Sequence, residues 1–444
     1  MALDRLAPVR NRFFLVLLAF AAVYGAAVSA QRTDAFVASR DHPAIDYTKG
    51  PVTDRIDDLN RKLRDGTLRL TFDGATGYLR STLEALRVPV ESQVAVFAQN
   101  AFQADLIGLK NPRTLFFNDA VAVGYVRGGR VLEVAVQDPR QGIIFYTMNQ
   151  TAADTPQFAR NDNCLACHLS WTTLGVPGLF VLSMQTLPED KNAYASGFAS
   201  DHRTTFETRW GGWYVTGSLG GLRHIGNKPV STASTPDAVP PEARELKSLA
   251  AQFDTTGYLT PHSDVASLMV LEHQTHMVNL IIRMGWESRL AAYQPPDGGV
   301  NLGAPFERPG TVLEKTQARL QQAAADLVDY MLFVYEVPLP VKVRGSSGFA
   351  ELFSALGPAD DKGRSLRQLD FDRRLMRYPC SYMIYSDLFD ALPQPAKNLV
   401  YRRLWQVLSG QDKDARYARL SQADRRAIID ILRGTKKDLP DYFQ

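Results

Sequence analysis

The chain of 444 residues carries a formal charge of +3, and 45% of its residues are hydrophobic against 22% charged. This balance is typical of a folded globular protein with one large domain or two contacting domains, and it excludes a largely disordered chain. The near-neutral charge gives no reason to expect nucleic acid or an anionic membrane surface as a partner. Only three cysteines are present, so we do not expect disulfides to hold the fold together.

Residues 1–30 have the three parts of a secretory signal peptide. A start that contains three arginines precedes an apolar run at residues 13–23, and Val28, Ser29 and Ala30 stand where a signal peptidase reads. We expect cleavage after Ala30, which removes three arginines and one aspartate, lowers the formal charge to +1 and places the mature protein in the periplasm. The alternative is an uncleaved membrane anchor, because the apolar stretch is nearly long enough to span a bilayer.

Residues 31–110 are predicted to form an N-terminal, mostly helical lead-in. The pattern changes at residues 120–126 and 131–136, two β-runs joined by a tight turn at Gly128 and Gly129. Residues 142–148 read as a third strand. The fold class that follows is α+β and mainly α-helical, with a small antiparallel sheet inside a region that spans residues 111–250.

The string Cys164-Leu-Ala-Cys167-His168 follows this sheet. In an exported protein, Cys-x-x-Cys-His is the attachment sequence of c-type haem. Two thiols one helical turn apart reach the two vinyl groups of a porphyrin, and the next imidazole offers its nitrogen to the iron as proximal ligand. A redox disulfide and half of a zinc site are the competing interpretations. No small βαβ unit and no second cysteine pair is evident to support either of them.

The segment Arg209-Trp210-Gly-Gly-Trp213 lies within about 60 residues of this motif. We predict a haem pocket here: Trp210 and Trp213 give flat apolar walls with N–H donors, and Arg209 or Arg223 pairs with the haem propionates. The competing interpretation is an aromatic strand and turn that packs in an ordinary core.

Residues 251–444 are predicted to form a helical C-terminal region packed on the haem region. A helix is predicted with Thr260 as its N-cap and Pro261 at its first position, and later helices are expected at residues 311–336, 372–391, 395–409 and 423–433. Pro338 and Pro340, with the glycines at positions 345 and 348, form the best linker candidate.

The second axial ligand of the iron decides the mechanism, because a filled site favours electron transfer and an open one favours small-molecule chemistry. His224 is the first candidate because of its glycine-rich, aromatic surroundings, and His273, on an apolar helical face, is the second. Met184 is the best methionine candidate. Cys380, left without a partner, is expected to be a buried hydrophobic residue, with a catalytic thiol as the alternative.

Several stretches together resemble one group of bacterial proteins. They are residues 111–119, 163–168, 209–217 with 224–227, 271–274 and 378–382. The group consists of large, exported, single-haem proteins described as cytochrome c domain-containing. The resemblance implies one covalent haem c at Cys164, Cys167 and His168, and it implies no known activity or substrate.

Two functions of different class follow. The first is an exported c-type cytochrome with one haem, which transfers electrons to or from a redox partner protein. The second is a haem-dependent oxidoreductase, peroxidase- or oxygenase-like, with an open distal site. A protein without haem, of purely structural function, remains only if the motif is accidental. No catalytic residue is assigned from the sequence.

Overall fold

The structure is a computed structural model, and it describes residues 39–184, 197–229, 239–294 and 309–443. It divides into two compact units, Met1–Gly50 and Pro51–Gln444. The first unit is described over residues 39–50, of which residues 39 and 40 are helical and most of the others form turns and bends. The predicted signal peptide lies outside the described residues. No helix in the described ranges is both long enough and apolar enough to cross a membrane.

The second unit contains an antiparallel sheet of seven strands, with the spatial order β6-β5-β4-β3-β2-β1-β9, and a separate hairpin of β7 and β8. The strands are β1 (Val94–Val96), β2 (Arg113–Phe117), β3 (Val121–Tyr125), β4 (Val131–Asp138), β5 (Gly142–Asn149), β6 (Ala159–Arg160), β7 (Val181–Ser183), β8 (Phe198–Ser200) and β9 (Trp213–Tyr214). The predicted hairpin is confirmed, because β3 pairs with β4 around a turn in which Gly128 has a φ of 73°.

The helices are α1 (Arg55–Arg64), α2 (Leu79–Leu86), α3 (Leu165–His168), α4 (Pro241–Arg244), α5 (Val265–Ala292), α6 (Pro309–Met331), α7 (Phe349–Ala355), α8 (Asp387–Asp390), α9 (Gln394–Leu408) and α10 (Gln422–Thr435). The α+β class and the helical C-terminal half are therefore confirmed. The predictions at 311–336, 395–409 and 423–433 correspond to α6, α9 and α10.

Helix α5 is the central element of this unit. It has 28 residues, most of them buried on every side, so it runs through the core instead of along a surface. Its C-terminal half lies over the sheet: Trp286 donates its indole N–H to the Gln141 carbonyl at 3.2 Å, and a Cβ on Gly142 would lie 2.8 Å from Ile282. The helix begins four residues later than predicted, because Asp264 and not Thr260 caps its first turn.

The same aspartate shows that the linker prediction was wrong. Asp264 Oδ2 accepts the backbone N–H groups of Ser346 and Ser347 at 2.6 and 2.7 Å, so this stretch is fixed against the start of α5. The prediction of a helix at 372–391 was also wrong. Within this range only Asp387–Asp390 is α-helical, and it follows a 3₁₀ turn at Tyr382–Tyr385. Pro379 accounts for this, because proline and the residue before it resist helix continuation.

The predicted regions are not separate layers. Strand β1 belongs to the lead-in and β9 follows the haem motif, yet both pair within the one sheet. The boundary drawn at residue 110 therefore cuts a continuous sheet.

Candidate haem-attachment site

The Cys-x-x-Cys-His motif forms a short helical turn next to the sheet. A 3₁₀ turn at Asp162–Cys164 leads into α3, and the buried Leu165 anchors it. Both thiols are free: Cys164 is half-buried and Cys167 is exposed. Burial raises the pKa of the Cys164 thiol to about 11, so it is protonated at neutral pH.

His168 has a defined tautomer. Its Nδ1 lies 2.8 Å from the carbonyl oxygen of Gly178, and because that oxygen only accepts, Nδ1 carries the proton. The opposite nitrogen, Nε2, has no hydrogen-bond partner among the described residues. Burial lowers the pKa of His168 to about 4, which keeps the ring neutral at neutral pH. A neutral imidazole with one nitrogen fixed by a carbonyl is the form that binds metals.

Two aromatic rings hold the imidazole in place. The ring of Phe145, from β5, has its centroid 4.8 Å from that of His168, and the ring of Phe180 stacks on it at 5.0 Å. The sheet and the segment before β7 therefore fix the orientation of His168 from two directions.

The loop that supplies the carbonyl is itself held by α5. Gly178 donates its N–H to the His168 carbonyl at 2.9 Å, which closes the loop after the motif. The side chain of Asn279 binds both backbone groups of Leu179, accepting its N–H at 3.0 Å and donating to its carbonyl at 2.7 Å. A Cβ on Gly178 would lie 2.2 Å from Asn279 Oδ1, so this close approach requires glycine.

Two charged side chains of the sheet lie near the motif. Arg113 from β2 and Glu133 from β4 form an ion pair at 2.6 Å, and both influence the pKa of Cys164. The Nε atom of Arg113 is buried and has no hydrogen-bond partner among the described residues. Arg113 is therefore an arginine near the motif with an unused donor, and a haem propionate is one group that could accept a hydrogen bond from it.

Arg209, one of the two arginines predicted to pair with the haem propionates, is bound to other groups of the protein. Its side chain is 2% exposed, it pairs with the fully buried Glu272 at 3.4 Å, and it donates to the carbonyls of Thr204 and His202 at 2.7 and 3.0 Å. No part of the guanidinium reaches the surface for an external anion. The propionate role predicted for Arg209 is corrected on this ground.

The two tryptophans also belong to the core. Trp210 is completely buried, with Phe206 and His224 packed edge-to-face against it. Trp213 on β9 donates its indole N–H to the Leu182 carbonyl of β7 at 2.7 Å. Trp213 thus connects the sheet to the hairpin that follows Phe180. It supports the fold and does not form the predicted wall of a haem pocket.

Neither candidate histidine offers a free nitrogen to iron. His224 accepts the N–H of Gly226 on Nδ1 at 3.0 Å and donates from Nε2 to the Arg244 carbonyl at 3.2 Å. His273 binds His202 through Nδ1 at 2.9 Å and Ser381 through Nε2 at 2.8 Å. Both rings are fully buried, so their prediction as distal ligands is corrected to a role in the polar core.

Met184 differs from these histidines. It is buried at the end of β7, four residues after Phe180, and its sulfur accepts one hydrogen bond from the Asn100 amide at 2.9 Å.

Cys380 is completely buried, and burial raises the pKa of its thiol to about 12, which makes it unreactive. The described ranges contain no cluster of three or more His, Cys, Asp or Glu side chains arranged to hold a metal ion.

Several supporting residues were missed from the sequence. They are Arg113, Glu133, Phe145, Phe180 and Asn279. Arg113 stands inside residues 111–119, one of the stretches that carry the resemblance, so attention to a charged residue within that run could have found it. The other four gave no signal, because strand register and helix packing alone bring them to the motif.

Comparison of the chain with protein-family models, curated proteins and solved structures finds no match to any of them.

Proposed function

We propose that the chain is a c-type cytochrome of the periplasm that binds one haem covalently through Cys164 and Cys167 and holds its iron with His168. A haem held this way supplies a one-electron redox centre, and the protein transfers electrons to or from a partner protein. The periplasmic location rests on the signal peptide predicted at residues 1–30.

The observation that carries this proposal is the hydrogen bond from His168 Nδ1 to the Gly178 carbonyl. It leaves Nε2 as the nitrogen available to iron, in the residue that directly follows a free thiol. A redox cysteine pair uses a protonated histidine to stabilise its thiolate, whereas the low pKa of His168, about 4, keeps this ring neutral at neutral pH. The free thiols, the neutral imidazole and the orphan donor of Arg113 all fit a haem c.

Exposure of the motif supports electron exchange with a partner. Cys167 and Ala166 are exposed, so a haem edge attached to Cys167 lies at the surface. A redox partner needs no path through the protein to reach it.

We further propose Met184 as the distal ligand. A thioether sulfur has two lone pairs, and the Asn100 amide occupies only one of them. Of the three candidates named from the sequence, Met184 alone keeps a free donor atom, because the nitrogens of His224 and His273 have other partners. Iron with two strong axial ligands favours electron transfer.

A haem-dependent oxidoreductase with an open distal site remains the second candidate. It is favoured by the same observation that both histidines bind other groups, since no histidine then closes the iron. The coordination of the iron distinguishes the two functions.

The deciding experiment is the optical spectrum of protein expressed in a periplasm with cytochrome maturation, oxidised and reduced, with and without carbon monoxide. We expect sharp reduced bands that carbon monoxide does not shift. A high-spin spectrum that carbon monoxide shifts would transfer support to the oxidoreductase, and a persistent absence of haem would refute both.

Variants assign the ligands. Cys164→Ser and Cys167→Ser should each lose one thioether bond, seen as a shift of the pyridine haemochrome band, whereas Cys380→Ser should not move it. Met184→Leu should open the iron to carbon monoxide, whereas His224→Gln should leave carbon monoxide excluded. A Met184→Leu spectrum identical to that of the parent would remove Met184 as ligand.

A further inference from the structure

A recess with a volume of about 150 Å³ lies where the chain leaves α6, on the segment that follows Met331. Its wall contains four arginines and one carboxyl group, together with apolar side chains. They are Arg373, Arg374, Arg416, Arg419 and Glu336. None of these residues belongs to the candidate haem site. A cavity that holds a single water molecule needs a volume of only about 10 to 15 Å³ on the same measure. The recess is therefore large enough for an ion of several heavy atoms.

Two of the four arginines lack a neutralising partner. Arg374 pairs with Asp424 at 2.7 Å, and Arg416 pairs with two aspartates. Arg373 and Arg419 have no carboxylate partner in the described part of the chain; Arg419 donates to the main-chain carbonyl of Glu336. The recess therefore presents uncompensated positive charge, in forks that match an oxyanion.

Glu336 is a carboxyl group that burial keeps protonated, and therefore uncharged, below about pH 7. Its side chain accepts the N–H of Leu375 at 2.8 Å, and the residue is 9% exposed. Burial raises the pKa of Glu336 to about 7, in spite of the neighbouring arginines, so below that pH the group is neutral and can donate a hydrogen bond.

The backbone that carries Glu336 is strained. Phe333 and Tyr335 both have positive φ angles, 55° and 65°, which bulky residues rarely adopt. Phe333 lines the recess and stacks its other face on His273 at 4.4 Å. Strain of this kind persists only where the surroundings impose it, and it concentrates at binding sites.

We propose that this recess is a binding site for a small inorganic oxyanion, which Arg373, Arg419 and the Glu336 carboxyl hold together. The proposal does not rest on the haem function. A recessed wall that includes leucine, phenylalanine and proline fits a small ion better than the extended acidic surface of a protein.

The first test uses sulfate as the probe, because its charge is constant near neutral pH. Calorimetric titration of the purified full chain, with chloride keeping the ionic strength constant, should show saturable binding at one site. Arg373→Gln and Arg419→Gln should each weaken it about tenfold or more, the usual effect of losing a charge-assisted hydrogen bond. Arg69→Gln is the matched control, because Arg69 is exposed and lies outside the recess.

Equal affinity for sulfate in Arg373→Gln and Arg69→Gln would overturn the proposal. So would calorimetric binding of chloride with the same affinity as sulfate. Tighter binding of malonate than of sulfate would overturn the assignment to an inorganic ion. Should Arg419→Gln fail to fold, Arg373→Gln carries the test, because the exposed Arg373 side chain has no ion pair to lose.

The second test uses pH. Sulfate binding should weaken as pH rises through about 7, because Glu336 then becomes negative, and Glu336→Gln should bind sulfate with no such dependence. The charged groups that act on Glu336 are the guanidinium groups of Arg374, Arg209 and Arg419. The nearest histidine is His202, whose carbonyl accepts the N–H of Val337 at 2.9 Å, and burial holds the pKa of its ring far below 6.5. A parent protein whose sulfate affinity is constant from pH 6 to 8 would refute the role of Glu336.

Discussion

The imidazole of His168 donates a hydrogen bond from its Nδ1–H to the Gly178 carbonyl and packs against two phenylalanine rings. The imidazoles of His224 and His273 are completely buried, and each of their nitrogens has a polar partner. Burial lowers the pKa in all three rings, so the pKa does not tell them apart. The hydrogen-bond partners do tell them apart. His168 Nε2 has no partner among the described residues, so His168 is a candidate iron ligand, whereas His224 and His273 are core residues.

Arg209 and Glu272 give the first prediction at this scale. Their exposed fractions are 2% and 0%, so Arg209→Met leaves a carboxyl group buried without its counter-charge. Breaking such a pair costs about 3 to 5 kcal/mol, which urea unfolding should detect. Arg209→Met combined with Glu272→Gln should recover part of the loss.

The alternative for Arg209 makes a different prediction. An arginine bound to a haem propionate would shift the reduction potential of the haem when replaced and would change stability little. A loss below 1 kcal/mol together with a shifted potential would therefore contradict the core role.

At the scale of elements, α5 connects parts of the molecule that the sequence describes separately. Its N-cap, Asp264, holds Ser346 and Ser347, and its middle carries Glu272 and His273. Two turns later Asn279 holds the loop that positions His168. One helix therefore supports both the haem loop and the buried polar cluster.

The contact between Gly178 and Asn279 can be tested by a double-mutant cycle. Gly178→Ala should destabilise the protein by about 1 to 3 kcal/mol, because the new methyl group overlaps Asn279 Oδ1. In an Asn279→Ala background the same change should cost much less. Gly74→Ala is the control, since no atom outside its neighbours lies within 4 Å of the new Cβ. Additive costs of the two changes would mean that loop and helix do not touch.

The part that could be predicted is local. Alternation and a glycine turn identified β3 and β4, the spacing of Cys164, Cys167 and His168 identified the motif, and apolar periodicity identified most C-terminal helices. Residues 209–213 were assigned to a pocket because aromatic, glycine and arginine residues suit one. The same residue types also build a core, and only the burial of Glu272 opposite Arg209 decides between the two.

At the scale of the whole molecule, Pro51–Gln444 is one compact unit. We expect a single unfolding transition for it, and slow proteolysis at residues 338–348 under native conditions, because Ser346 and Ser347 are hydrogen-bonded to Asp264. Limited trypsin digestion followed by mass spectrometry checks this. Rapid cleavage at Lys342 or Arg344 into two stable fragments would instead support the prediction that this stretch is a linker.

The acid stability of this unit should depend on its buried histidines. Burial lowers the pKa of His224 to about 4, whereas in the unfolded chain it is about 6.5. Between these values the unfolded state binds a proton that the folded state does not. The free energy of unfolding therefore falls as pH falls through this window, by at most about 1.4 kcal/mol per pH unit for one such histidine.

Buried carboxyl groups act in the opposite direction. Burial raises the pKa of Glu336 to about 7, so the folded state keeps a proton that the unfolded state releases, and stability falls as pH rises from about 4.5 to 7.

Because the two effects overlap, the pH dependence of the parent protein alone does not isolate the contribution of His224. Urea unfolding of the parent and of His224→Gln at several pH values from 5 to 6.5 does, since glutamine keeps a donor and an acceptor but does not titrate. The variant should lose stability more slowly on acidification, by up to about 1 kcal/mol per pH unit. Parallel pH profiles would mean that His224 takes up a proton in the folded protein as readily as in the unfolded one, which its two backbone hydrogen bonds do not allow.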